Sequence, residues 1–223
     1  MLLKNEVEKY LNSLLEQSFY NISNIEFEEV DENKIYAAVV SSRFRKSRID
    51  QVTEEDIKNK IRQSIEKNEP IKFAVPFGAY KAWRLNLDFQ PDWSEVFNIS
   101  YHLKYAANIL KYYPQGIEIS YTFSDNLMYF VSDIPKEKAE NYTVIFQKLL
   151  DLFNQLSDKI RFKLVRINDL YDNQEEYYID FLKCFLDNLV FWDTKYDESV
   201  KSRHLNSSHH NLYLQGERAI EEK

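Results

Sequence analysis

The stretch from Ile71 to Glu95, IKFAVPFGAYKAWRLNLDFQPDWSE, indicates the fold class more clearly than any other part of the chain. It begins with an apolar run, Ile71 to Val75, that predicts a buried strand ending at Pro76. It closes with PDWSE, Pro91 to Glu95, a helix start signal in which the aspartate caps and the glutamate completes a capping box. A strand, a long loop and a helix in this order predict one unit of a sheet layered by helices.

The rest of the chain alternates helix-like and strand-like patterns. Apolar residues at helical spacing predict helices over residues 3–19, 53–68, 92–113 and 135–156, and the segment from residue 173 onward is predicted to be helical throughout. Short apolar runs predict strands over residues 24–30, 34–40, 117–123, 127–131 and 159–167. Asp31-Glu32-Asn33 between the first two of these strands predicts a hairpin, and Thr53 is predicted to cap the helix that follows.

This order of elements predicts an α/β fold with a mixed, mostly parallel sheet layered by helices. Near residue 169 the pattern changes from alternating strands and helices to helix alone. We therefore expect an α/β domain over residues 1–169 and a helical C-terminal extension over residues 170–223, packed on the same domain. The scarcity of glycine and proline, 3 and 5 residues, favours long regular elements over a turn-rich β-sandwich.

Composition limits the classes of function. The net charge of −7 argues against a general nucleic-acid binder, which normally carries a positive surface for the phosphates. The single cysteine, Cys184, excludes an internal disulfide, and the charged N-terminal segment lacks a signal-peptide core, so a cytoplasmic location is expected. No apolar run approaches the ~20 residues of a membrane span. With no glycine-rich phosphate-binding motif, no nucleotide cofactor is expected.

The loop between the predicted strand and helix is the leading candidate for a site. In open α/β sheets ligands bind where strands end, and this loop would leave its strand at the carboxyl end. Lys81 and Arg84 would hold a phosphate or carboxylate, while Trp83 and Tyr80 would contact the substrate. The alternative is structural, with the tryptophan anchoring a long loop on the core and the cations facing solvent.

A second group of cations follows the strand predicted over residues 34–40. Arg43, Arg45, Lys46 and Arg48 fall within six residues of one another. They would bind a phosphate group of a substrate. A solvated surface loop explains the same cluster.

Acidic residues at the ends of predicted elements each have two interpretations. Glu95, together with Asp92, either caps the helix that begins there or supplies a catalytic carboxylate. Asp125, in the segment Ser124-Asp125-Asn126, either completes a tight turn or binds a substrate amine.

The four histidines lack the spacing of a metal site. His102 lies within a predicted helix without a partner four residues on, and His204, His209 and His210 do not form H-x-x-x-H. We expect no metal site. A polar helix face explains the C-terminal histidines, and alternatively residues 203–218 close over the site as a lid.

Over residues 57–142 the chain resembles the isocyanide synthase family of pyoverdine and dityrosine biosynthesis. The resemblance rests on a strand ending in Pro, at Val75-Pro76-Phe77, a loop with Lys81, Pro-Asp-x-x-Glu at residues 91–95, Tyr-x-x-Gly at residues 113–116, and Ser-Asp at residues 124–125. It implies a Rossmann-like fold and an enzyme that joins an amino-acid amine to a carbon of a pentulose phosphate, giving an isonitrile. The resemblance places Lys81 near the phosphosugar and gives Asp125 or Glu95 the handling of protons.

We therefore expect a cytoplasmic biosynthetic enzyme that acts on a small polar metabolite, with an amino acid and a phosphosugar as candidate substrates and no cofactor. No nucleic-acid or membrane partner is expected, and a homodimer is compatible with the chain. The alternative is a non-catalytic binding or scaffold protein that uses an aromatic-rich surface and its C-terminal helices to hold a partner or itself.

Overall fold

The computed structural model describes residues 4–16, 25–42, 51–77, 90–123 and 134–173, together with Glu176, Asp180 and Lys183. Its α-helices are α1 Lys4–Glu16, α2 Glu32–Val39, α3 Gln51–Lys67, α4 Trp93–Leu110 and α5 Lys136–Asn154. Its strands are β1 Ile71–Phe77, β2 Ile117–Phe123 and β3 Ile160–Arg166, the last followed by a 3₁₀ turn, Ile167–Leu170. None of the described helices has the length and apolar character needed to cross a membrane.

The three strands form a parallel sheet in the order β1-β2-β3, so the predicted α/β class is confirmed. Helix α4 connects β1 to β2, and α5 connects β2 to β3. The Tyr121 ring of β2 lies 5.6 Å from the His102 ring of α4 and 5.3 Å from the Phe146 ring of α5. Both helices therefore cover the same face of the sheet. Along β2 every second residue is buried, as a strand with one face on the core requires.

The chain divides into two compact units. The first combines Met1–Val75, Gln90–Tyr121 and Val144–Leu164, and the second combines Pro76–Phe89, Thr122–Thr143 and Val165–Lys223. The first unit contains α1 to α4 and most of the buried apolar side chains. In the second unit the rings of Phe77, Phe123 and Tyr142 pack together, with each phenylalanine centroid 6.0 Å from that of the tyrosine. The predicted C-terminal extension lies almost wholly outside the described residues and stays a prediction.

Helix α4 begins as its sequence predicts. The Asp92 carboxylate accepts a hydrogen bond from the Ser94 N–H at 2.7 Å, and Glu95 Oε2 accepts one from the Asp92 N–H at 2.7 Å. These two bonds satisfy amide groups that have no partner within the helix. The capping box is therefore confirmed. Behind it α4 buries an apolar stripe made up of Val96, Ile99, Leu103, Ala106, Ala107, Ile109 and Leu110.

The hairpin predicted over residues 24–40 is wrong. Residues 25–31 have no regular structure, and residues 32–39 form α2. The Asp31 carboxylate accepts hydrogen bonds from the backbone N–H groups of Asn33 and Lys34, so it acts as an N-cap where a turn was predicted. Ile35 and Ala38, three residues apart, are buried on one helical face. A short apolar run fits both the two-residue period of a strand and the 3.6-residue period of a helix, and the Asp31 N-cap favours the helix.

Two predicted boundaries are also wrong. Helix α3 already includes Gln51, so Thr53 lies inside the helix and does not cap it. Strand β1 continues through Pro76 to Phe77. The Ile71 N–H donates to the Gly116 carbonyl at 3.1 Å, which turns the backbone groups of alternate residues from Ile71 onward toward β2. Pro76 falls on the other alternation, so its missing N–H removes no bond to β2.

Gly116 lies where the amino ends of the three strands meet. Its carbonyl accepts from Ile71, and the next N–H, that of Ile117, donates to the Lys159 carbonyl at 2.8 Å. Its φ is +109°, and a Cβ atom placed on it would lie 2.8 Å from the Lys159 carbonyl oxygen. Only glycine meets both conditions without strain. The break predicted at Pro114-Gln115-Gly116 is thus confirmed. Gly116 also fixes the register of β1 against β2.

We expect Gly116→Ala to lower the free energy of unfolding by about 1–3 kcal/mol, because alanine disfavours this φ and its methyl group meets a backbone oxygen. Urea denaturation followed by circular dichroism measures this difference. The control is Gln115→Ala in the same turn, where the side chain is exposed and the change should stay within about 0.5 kcal/mol. Equal stability of the two variants would contradict the assigned role of Gly116.

Candidate functional site: the α3–β1 groove

Most residues that the sequence singles out for a site lie outside the described residues. These are Arg43, Arg45, Arg48, Tyr80, Lys81, Trp83, Arg84 and Asp125, together with Cys184, the C-terminal histidines and the candidate lid at 203–218. Their roles stay predictions. Glu95 is described, is only 5% exposed and directs its carboxylate at the backbone of Asp92. The helix cap accounts for its placement, and its catalytic role stays a prediction.

A cavity of about 450 Å³ lies between α3 and β1, within the first unit. We call it the α3–β1 groove. Its apolar lining includes Ile57 and Ile61 from α3 and Ile71 and Phe73 from β1, and Val39 contributes from the end of α2. A volume of this size falls within the roughly 300–1,000 Å³ usual for ligand pockets.

The groove runs along the edge of the sheet. Four consecutive residues of β1, Ile71 to Ala74, line it. Successive side chains of a strand point to opposite faces, so residues of both faces border one cavity only along the edge of the strand. In agreement, β1 is the terminal strand of the described sheet.

One end of the groove is fixed by the turn that joins α3 to β1. Asn68 has φ 55°, and the Asn68 and Glu69 N–H groups donate to the Ile65 and Ser64 carbonyls, a Schellman arrangement that ends the helix. The buried Tyr113 hydroxyl lies 2.8 Å from the Ser64 carbonyl oxygen and 2.6 Å from that of Glu69. Burial, with a smaller contribution from Glu69, raises the pKa of Tyr113, which keeps the hydroxyl a proton donor.

The opposite wall is held by Tyr105 of α4. Its hydroxyl donates to the Val39 carbonyl at 3.0 Å, and its ring lies edge-on to Phe73 with 5.3 Å between the centroids. Burial raises the pKa of Tyr105 well above its ordinary value, and Tyr101 adds to the shift. Tyr105 therefore connects the end of α2 to β1 on either side of the cavity.

Three lysines and one glutamate border the groove. Lys72 forms an ion pair with Glu69, with Nζ and Oε2 3.5 Å apart. Lys60 and Lys67 form no ion pair with any other residue in the described ranges. Positive charge thus remains beside an apolar lining in a chain whose net charge is −7. The helical spacing of Lys60 and Lys67 is visible in the sequence, whereas Lys72 joins them only through the fold.

Two of the four acidic residues of α3, Glu54 and Glu55, form ion pairs on its other stripe. Glu54 pairs with Lys58 at 2.7 Å, and Arg62 pairs with Glu32 of α2 at 2.9 Å and with Glu55 at 3.9 Å. Residues 55, 58 and 62 recur at helical spacing and face α2, while residues 57, 60, 61, 64 and 67 face the groove. Among the described residues, neither Lys60 nor Lys67 forms an ion pair with a carboxylate of its own helix.

His102 lies outside the groove and contacts the core tyrosine of β2. Its Nδ1 is 2.7 Å from Tyr121 Oη, and the Tyr121 ring packs against Phe146 and Phe162. Burial lowers the pKa of His102 and raises that of Tyr121. Both groups are therefore neutral near pH 7, which agrees with a structural pair inside the α4–sheet interface.

An exposed aromatic cluster lies on the first turns of α4 and on α1. The Tyr10 ring meets Trp93 edge-on at 5.4 Å and Phe97 at 5.7 Å. Phe97 is 54% exposed and Tyr101, one turn further, is 44% exposed. The aromatic-rich binding surface expected from the sequence stays a prediction.

Within the described ranges no three His, Cys, Asp or Glu side chains come together in a group suited to hold a metal ion. Comparison of the chain with protein-family models, curated proteins and solved structures gives no match.

The lowered pKa of His102 predicts a loss of stability in acid. Below the ordinary pKa of about 6.5 the unfolded chain binds a proton that the folded chain does not, so the free energy of unfolding falls as the pH drops from 6.5 toward the lower folded pKa. Above pH 6.5 the contribution is fully present. We expect His102→Gln to remove this part of the pH dependence, measured by urea denaturation at pH 7.5 and 5.5. An equal stability difference between the two proteins at both pH values would show that His102 does not titrate differently on folding.

Proposed function

We propose that the chain is a binding protein that holds an anionic ligand in the α3–β1 groove. The observation that carries the proposal is the placement of Lys60 and Lys67 beside an apolar lining, without an ion pair among the described residues. An anion would supply the charge that these ammonium groups lack, and Lys72 lies close enough to exchange its pairing with Glu69 for the ligand. Ile61 and Phe73 would bury the apolar part of the same ligand.

A binding role is one of the two classes expected from the sequence. The cluster of Tyr10, Trp93 and Phe97 supports it, because Phe97 is exposed, the other two rings are half-buried, and aromatic rings are enriched where proteins contact other molecules. The binding role predicted from the sequence uses the C-terminal helices. The binding role proposed from the groove needs only residues of the first unit.

The groove lysines provide the test. We expect pyrophosphate to raise the melting temperature of the protein, and we expect its dissociation constant, measured by calorimetry, to rise at least tenfold in Lys60→Glu/Lys67→Glu. The charge-matched control is Lys9→Glu/Lys148→Glu, which changes two exposed lysines of the first unit that do not line the groove. Equal weakening by both double variants would mean that net charge alone is sensed and would refute a site in the groove.

A second function, the biosynthetic enzyme, is proposed on a different observation. β1 and β2 are parallel neighbours, so the segments that follow Phe77 and Phe123 leave the sheet at the same end, and these segments carry Lys81 and Asp125. Ligands of open α/β sheets bind at that end. Phe77 and Phe123, both packed on Tyr142, supply an apolar base there.

This second proposal retains the details implied by the isocyanide synthase resemblance. A sheet order β1-β2-β3 with one helix among the described residues of each connection is compatible with half of a Rossmann-like sheet, which we include in the proposal. The enzyme would act in the cytoplasm on an amino acid and a phosphosugar. Lys81 would hold the phosphate or form an imine with the sugar, and Asp125 would handle protons.

A thermal-shift screen against amino acids and pentose phosphates, with Lys81→Ala in parallel, tests the enzyme. We expect a pentulose phosphate to raise the melting temperature of the parent protein and not that of Lys81→Ala. Lys60→Ala serves as the matched lysine control. It should keep the shift, because Lys60 belongs to the α3–β1 groove and not to the proposed phosphosugar site. A shift retained in Lys81→Ala and lost in Lys60→Ala would assign the phosphosugar to the groove and remove the support for Lys81.

A further inference from the structure

We infer that the ligand of the α3–β1 groove is an extended acidic peptide segment, which pairs with β1 as an additional strand of the sheet. This inference rests on the proposed binding of an anion in the groove and adds the chemical class of the partner. Three features support it: the direction of the backbone groups of β1, the shape of the cavity beside them and the charge around that cavity.

The register of β1 directs backbone groups into the groove. The Ile71 N–H donates to Gly116 of β2, and backbone groups of successive residues in a strand point alternately to either side. Phe73 therefore also faces β2, whereas the N–H and C=O groups of Lys72 and Ala74 face the groove. Within the described part of the chain, no strand lies on that side of β1.

The cavity has the dimensions of a short strand. The four residues Ile71 to Ala74 that border it extend over roughly 13 Å, at about 3.3 Å per residue. An added strand would lie ~4.8 Å from β1, in the space between β1 and α3. Every second side chain of that strand would then face Ile57 and Ile61 of α3.

Charge selects the kind of segment. Lys60, Lys67 and Lys72 border the space, against Glu69 alone, so carboxylates on the added strand would find ammonium groups. Two copies of this same edge would bring two sets of groove lysines together, which disfavours self-association through β1. Pro76, which offers no N–H, limits the ladder to the outward groups that precede it.

A small anion and a peptide differ in what they require from the groove. A free phosphate would need the lysines and nothing of the strand edge. An extended peptide needs the lysines together with the outward backbone groups of Lys72 and Ala74, as in other cases where a peptide adds a strand to a sheet. The strand edge therefore distinguishes this inference from the broader proposal.

The test uses a fluorescein-labelled octapeptide of alternating glutamate and valine, titrated with the full chain and followed by anisotropy. We expect saturable binding, a dissociation constant at least tenfold higher for the same peptide with every backbone amide N-methylated, and no binding of the lysine–valine counterpart. Lys60→Glu/Lys67→Glu should weaken the glutamate–valine peptide at least tenfold, while Lys9→Glu/Lys148→Glu should not.

Amide hydrogen exchange locates the bound strand. At saturating peptide we expect the exchange of the Lys72 and Ala74 N–H groups to slow at least tenfold, while the Phe73 N–H, which faces β2, changes little. This measurement needs no substitution, so it is independent of any variant that fails to fold.

The outcomes distinguish the anion site from strand pairing by a peptide. Lysine-dependent binding of pyrophosphate, with no peptide binding or with undiminished binding of the N-methylated peptide, would overturn the strand-pairing inference and leave the anion site in place. Absence of lysine-dependent binding of both probes would overturn both.

Discussion

The hydrogen bond from the Ile71 N–H to the Gly116 carbonyl sets the register on which the rest of the sheet depends. Gly116 can accept it because its φ of +109° and its missing Cβ let the backbone approach Lys159 of the neighbouring strand end. The same bond decides which residues of β1 face β2 and which face outward. It thereby fixes both the tolerance of Pro76 within the strand and the direction of the backbone groups of Lys72.

Elements with strong end signals were predictable from the sequence. The capping box at Asp92 and the Pro-Gln-Gly break before β2 place α4 and β2 correctly, because these signals act through the local backbone. Residues 34–40 were predicted as a strand since a short apolar run fits both the strand and the helix period. The Asp31 cap and the contacts with α3 favour the helix that the structure has over residues 32–39. Pro76 was predicted to end its strand. Proline is tolerated within an edge strand, but the edge position of β1 is visible only in the assembled sheet.

The candidate site was less accessible to sequence reasoning. Lys60 and Lys67 share a helical face that the sequence displays, but Lys72 joins them only once α3 folds back beside β1 at Asn68. No local motif in the sequence marks β1 as the edge strand of the described sheet, because the edge position depends on how the strands assemble. The loop with Lys81, favoured by its composition, follows the carboxyl end of the same strand, and its role as a site stays a prediction.

The two tyrosines that flank the groove give it a property beyond stability. Tyr105 of α4 holds the end of α2, and Tyr113, in the segment that leads from α4 to β2, holds the turn after α3. The two walls of the cavity are therefore held from one continuous stretch of chain, residues 105–113. For the peptide proposed above, a slot formed in advance would lose little conformational entropy on association, and the cost of ordering would fall on the incoming segment.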